Sequence, residues 1–142
     1  MTLGGRSLVA LVGVHPDLVR VVVLASAGGA NFIVTEGLRT KERQAVLVSA
    51  GKSRTMRSRH LTGHAVDLAV VLPDGGVSWE QEEYRRLSLY MASAAAEAGV
   101  PIQWGGVCFG PAFVDSVHFQ LSWDAYPAPV PNLNPPGETS QT

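Results

Sequence analysis

The sequence predicts a small α+β domain, a mainly antiparallel sheet with helices packed on one of its faces. Three observations carry this expectation. Four short apolar runs, "NFIVTEG", "HAVDLAVVL", "VPIQW" and "VHFQLSW", have strand length and are set off by turn residues. Two longer segments, behind Pro16 and behind Ser78, carry helix-start residues and end at glycine. The chain has 142 residues, 46% of them hydrophobic and 16% charged, which is enough to bury one core in one domain.

Taken in order, Pro16 followed by Asp17 suits the first turn of a helix running to about Ala27, where Gly28 and Gly29 stop it. "NFIVTEG" follows as the first strand. In "TKERQAVLVSAG" Thr40 is the expected N-cap and Gly51 the stop, with Ala45, Val46 and Val48 facing inward. "HAVDLAVVL" is the second strand and "PDGG" a turn. The next helix is expected to open on a capping box, the Ser78 hydroxyl answered by Gln81 three residues on. Tyr84, Leu87, Met91, Ala94 and Ala98 then recur at steps of three and four, forming one buried stripe that Gly99 ends. "VPIQW" and "VHFQLSW" are two more strands, separated by the Gly-rich loop "GGVCFGPAFVD". The domain is expected over residues 1–125. From Tyr126 the chain reads "YPAPVPNLNPPGETSQT", with five of the nine prolines, and is expected to be an extended tail.

The net charge of −1 gives no general attraction to nucleic acid or to an anionic membrane. Cations do gather locally at Lys52, Arg54, Arg57 and Arg59, as a solvated loop or as an approach path for an anionic substrate. Cys108 is the single cysteine, so no intramolecular disulfide can form, which fits synthesis in a reducing compartment. The N-terminus lacks the apolar core and cleavage site of a secretory signal. "VRVVVLASAGGANFIV" is broken by Gly28, Gly29 and Asn31 below spanning length, so no membrane insertion is expected. A monomer is expected.

Strand parity sorts the polar residues of "SRHLTGHAVDLA". Ala65, Asp67 and Ala69 share one face, while His64, Val66, Leu68 and Val70 share the other. His64 therefore belongs with the packed aliphatics. By the same rule His118 and Gln120 share a face, and Phe119 and Leu121 take the core side. His60 can fold back toward Asp67 across the turn that Thr62 and Gly63 allow. Two imidazoles and a carboxylate suit zinc with one position left open, which makes His60, Asp67 and His118 the candidate ligands. The competing reading is a chance cluster in which Asp67 caps a turn, since such local spacings are weak signals by themselves.

"SRHLTGHAVDL" also matches the pattern S-x-H-x-x-G-x-A-x-D, and Asp115, His118 and Phe119 match an acidic residue three before a histidine followed by an aromatic. In these motifs the chain resembles the zinc peptidases that cut bacterial cell-wall peptides. That superfamily includes D-alanyl-D-alanine carboxypeptidases, vancomycin-resistance dipeptidases and phage L-alanyl-D-glutamate endopeptidases. "GVHPDLVRVV", "VTEGLRTKERQ", "GKSRT" and "WGG" make it most similar to the phage endolysin branch, over roughly Ser7 to Trp123.

The resemblance implies a hedgehog/D,D-peptidase-like fold with one zinc ion, held by His60, Asp67 and His118. It implies Asp115 as general base and Arg39 as the cation that holds the substrate carbonyl or its oxyanion. The plainer reading of Arg39 is a surface salt bridge with Glu36 or Glu42. Ser58 is the implied contact to the substrate, a peptidoglycan stem peptide, and Trp104 is expected with it and Arg39 among the substrate-binding residues, as core or cleft wall rather than a stacking platform. The implied activity is hydrolysis of the L-alanyl-D-glutamate bond by an endolysin made in the host cytoplasm and released to the wall through a holin-type route. The alternatives are a D-alanyl-D-alanine carboxypeptidase or dipeptidase, and a non-catalytic zinc-stabilised wall-binding or virion module. Val107 and Cys108 depart from the polar residue and tryptophan that follow "WGG" in phage relatives, and the loop to Asp115 is slightly longer, which bears on selectivity. Cys108 itself reads as a packing residue.

Overall fold

The structure is a computed structural model that describes residues 3–53 and 55–127. The elements are α1 (Gly5–Ala10), α2 (Pro16–Ala27), β1 (Phe32–Glu36), α3 (Lys41–Ser49), a 3-10 turn (Arg59–Thr62), β2 (Ala65–Val71), β3 (Val77–Ser78), α4 (Gln81–Ala98), β4 (Ile102–Trp104) and β5 (His118–Leu121). The sheet runs β1-β2-β5-β4, with β3 added to the end of β2, and every pairing is antiparallel. This is the expected α+β class. No helix among the described residues is long and apolar enough to cross a membrane.

The core follows the periodicities of the chain. Val66, Leu68 and Val70 of β2 alternate onto one face with Phe119 and Leu121 of β5. Leu18, Val21 and Val22 of α2 and Tyr84, Leu87 and Met91 of α4 cover that face. The helix behind Pro16 ends where expected, and the His15 ring helps start it by accepting the Asp17 N–H at 3.1 Å. α1 has no signature in the sequence: it is six residues long and too short for a periodic stripe. Its Ser7 hydroxyl accepts the Val34 N–H at 3.0 Å, satisfying a donor on the edge strand β1.

Three local expectations are corrected. In α3 Thr40 caps as expected, accepting the Arg43 N–H at 3.0 Å, but Ala45 and Val46 are exposed and Val48 is only half-buried. The residue turned inward is Gln44, whose amide is fully hydrogen-bonded; polar partners at this position outweigh the apolar pattern. The capping box of α4 does not form. Pairing with β2 draws Ser78 into β3, Glu80 becomes the N-cap, and Gln81 turns away to accept from the Ser116 hydroxyl at 2.6 Å. The third correction concerns the C-terminal boundary. Tyr126 is part of the fold: its hydroxyl donates to Asp17 at 2.7 Å and its carbonyl accepts from Arg59 at 2.8 Å. The rest of the proline-rich segment, from residue 128, lies outside the described residues, as does Arg54.

Candidate metal centre and cleft

The site is assembled by strand register. Asp67 of β2 stands directly opposite His118 of β5 on one side and opposite Glu36 of β1 on the other. Directly opposed residues of antiparallel strands present side chains on the same face, so residues far apart in sequence become a row. His60 joins from the 3-10 turn. The Ser58 hydroxyl accepts the His60 N–H at 3.2 Å, and Gly63 reverses the chain into β2 with φ +72°. A Cβ on Gly63 would lie 2.3 Å from the Gly13 carbonyl oxygen, so only glycine fits this turn.

The two imidazoles meet at one carboxylate oxygen. His60 Nε2 lies 3.1 Å and His118 Nδ1 3.4 Å from Asp67 Oδ1. The outer nitrogens are each held by an acceptor: His60 Nδ1 donates to the Gly37 carbonyl at 2.8 Å, and His118 Nε2 to Gln120 Oε1 at 2.7 Å. Gln120 in turn donates to Gln103 Oε1 at 3.1 Å. With the outer nitrogens donating to fixed acceptors, the inner nitrogens hydrogen-bond Asp67 in the metal-free chain, and on releasing those protons they turn lone pairs toward the same point, as in histidines that ligate metal. The donor atoms of His60, Asp67 and His118 all lie within 4.8 Å of one another. Lone pairs and a carboxylate facing one point fit a divalent metal ion, and the three residues can hold one.

Charges are arranged around that point. Burial opposes ionisation of Asp67, but the charges and hydrogen bonds of His60 and His118 hold its pKa well below the carboxylate range. Burial alone would lower the His118 pKa, whereas its hydrogen bond to Asp67 and the charge of Asp67 carry it upward. The Arg39 side chain, 7% exposed, donates to Glu36 Oε1 and to Gln44 Oε1, each at 2.7 Å, and lies 3.6 Å from Asp67 Oδ2. The ion pair with Glu36 is thus real, and it fixes Arg39 beside the donor cluster; Glu42 takes no part. Asp115 is placed by backbone: its N–H donates to the Gly105 carbonyl at 2.9 Å, and its carbonyl accepts from His118 at 3.1 Å. A Cβ on Gly105 would come within 2.3 Å of that carbonyl oxygen. Burial, then the charge of Asp67, raises the Asp115 pKa.

The cluster opens into a cavity of about 620 Å³, large enough for a short peptide. Ser58 and Asp115 line it, together with Lys52, Arg43 and the aromatic rings of Phe109 and Phe113. Phe109 lies 5.5 Å from the His118 ring. Trp104 is not on this lining; it stacks on Phe119 and donates to the Ser116 carbonyl at 2.7 Å. Arg59 is corrected out of the basic surface cluster. It is 4% exposed, donates to the carbonyls of Leu121 and Tyr126, lies over the Trp123 ring, and burial lowers its pKa to about 10. His64 stays off the site, bonded to Thr62 and set against His15, and half-buried Cys108 is no member of the donor group. Sequence reasoning missed Gln44, Gln103, Phe109 and Phe113. Gln120 was placed on the His118 face by parity, without a role.

Fold and site together define a small antiparallel sheet whose open face carries one donor cluster able to hold a metal ion. The family model described as phage L-alanyl-D-glutamate peptidase matches residues 1–117, and the chain belongs to that family. The match holds Arg39, His60, Asp67 and Asp115 and closes one residue before His118, whose place rests on its pairing with Asp67. The L-alanyl-D-glutamate peptidase of Listeria phage A118 is 34% identical over 102 residues, 72% of this chain. The chain spans about a third (34%) of that relative's length. Among solved structures, the L-Ala D-Glu endopeptidase ChiX of Serratia marcescens superposes with a TM-score of 0.82 at 46% identity, over 90% of this chain and 95% of that one.

Proposed function

We propose that the chain is a zinc-dependent peptidoglycan endopeptidase that hydrolyses the L-alanyl-D-glutamate bond of stem peptides, acting as a monomeric phage endolysin. The observation that carries this reading is the convergence of His60, Asp67 and His118 at a peptide-sized cleft that Asp115 and Arg39 also line, in a chain of this family. Delivery to the wall from the host cytoplasm by holin-type release belongs to the same proposal and is supported by the family's phage membership.

Zinc bound there would act as a Lewis acid on the scissile carbonyl and lower the pKa of water to about 7. Asp115 takes the proton from the attacking water and delivers it to the leaving amine. Its raised pKa makes that acceptance less costly than for an ordinary carboxylate. Arg39, held rigid by Glu36 and Gln44, presents fixed positive charge to the oxygen that becomes negative, with no reorganisation during the step. Ser58 lines the cleft for contact with the peptide, and Trp104 supports it from behind through Phe119.

The test is mass analysis of purified peptidoglycan digested by the zinc-loaded chain. Fragments separated between L-alanine and D-glutamate are the expected result. Release of free D-alanine or its dipeptide alone overturns the proposal in favour of a D,D-peptidase. Zinc binding with no cleavage of either bond favours a non-catalytic module.

A further inference from the structure

We propose that Lys52 recognises the free carboxylate of the acidic residue following the scissile bond, on a cleft wall that Gln44 ties to Arg39. The inference rests on the L-alanyl-D-glutamate reading and deepens it. A glutamate acylated on nitrogen has two carboxyl groups. One can carry the chain onward, and the other then remains free, so a negative charge lies within a few bonds of the reacting nitrogen. A cleft selective for this bond needs a cation for that charge, since a desolvated carboxylate without a partner is costly.

The cations lining the cavity are Arg39, Arg43, Lys52, Arg57 and Arg59, a concentration that the net charge of −1 does not foreshadow. Most are engaged. Arg39 is held by Glu36 and Gln44, Arg43 reaches Glu36 at 3.5 Å, Arg59 is buried against backbone carbonyls, and Arg57 has contacts of its own. Lys52 alone has no side-chain hydrogen bond or ion pair among the described residues.

Its backbone, by contrast, is anchored. The N–H groups of Lys52 and Ser53 donate to the Leu47 carbonyl at 2.8 and 3.2 Å. Gln44, fully buried, donates to the Ser53 hydroxyl at 2.7 Å and to the Thr55 carbonyl at 2.5 Å, while its oxygen accepts from Arg39. One saturated amide thus registers the segment bearing Lys52 against the guanidinium nearest the metal donors. A position filled only to pack α3 would be served by an apolar residue without three hydrogen bonds to satisfy.

The test uses two short peptides containing the alanyl-glutamyl bond that differ only in whether the free carboxyl is a carboxylate or a primary carboxamide. The wild-type chain is expected to favour the carboxylate by about 10- to 100-fold in kcat/KM, as for other charge-assisted contacts. Lys52→Met is expected to collapse that ratio toward unity, and Lys52→Arg to keep most of it. Equal turnover of the two peptides by the wild type, or an undiminished ratio in Lys52→Met, overturns the inference. Dissociation constants measured with the zinc-loaded Asp115→Asn chain separate this from the activity itself. If neither peptide is cleaved, a carboxylate preference in binding that vanishes with Lys52→Met still upholds the inference, and equal binding overturns it.

Discussion

Gln120 and Asp115 illustrate how much of the site depends on atoms that never meet a metal ion. Gln120 leaves His118 one usable lone pair by accepting the proton of the other nitrogen. Gln120→Leu is therefore expected to lower zinc affinity about 10- to 100-fold with the fold intact, read by titration calorimetry beside far-UV circular dichroism. Asp115 carries a penalty in the metal-free protein. Its pKa is raised on folding, so the native state binds that proton more tightly than the unfolded chain does. The stability tied to this group is full below the ordinary carboxylate value and is lost as pH rises through the raised one. Asp115→Asn is accordingly expected to melt higher than wild type at neutral pH without metal, the difference vanishing in acid, while lysis is abolished. Thermal unfolding at the two pH values with chelator present checks this.

At the scale of elements, the buried stripe of α4 was legible, whereas α3 was legible in its Thr40 cap but not in its buried face. Tyr84, Leu87, Met91 and Ala94 are buried as their spacing requires, and Met91→Ala is expected to cost about 2–5 kcal/mol in denaturant unfolding. The N-terminus of α4 was misread because Ser78 has two possible partners, and strand pairing with β2 is cooperative where a cap is local. In α3 Ala45 and Val46 are exposed, Leu47 and Val48 only half-buried, and the single buried position is a glutamine, so a hydrophobic pattern could not find it. Gln44→Leu keeps the volume but strands the groups at both ends of the amide. It is expected to cost about 1–3 kcal/mol and to reduce kcat on any peptide, because Arg39 loses a brace. Measuring unfolding and turnover on the same preparation separates the two effects.

For the whole molecule, the three donors come from the 3-10 turn, β2 and β5, so they converge only in the native state. Zinc at one hundred times its dissociation constant is expected to add about 2.7 kcal/mol of stability, and His118→Ala to abolish that increment; melting curves with zinc and with chelator measure it. The sequence by itself determined the α+β class, the main strands and helices, the face on which Asp67 and His118 stand, and the exclusion of His64. These follow from periods of two and 3.6 residues and from capping chemistry, which are local. Only the tertiary structure decided that Arg39 is at once an ion-pair partner of Glu36 and a neighbour of Asp67, that Arg59 is a buried clamp on the carbonyls of Leu121 and Tyr126, and that Gln44 and Gln120 serve the site. Those roles depend on hydrogen bonds between segments distant in sequence. Such bonds have no period, and they exist only once strand register has placed both partners within about 3 Å.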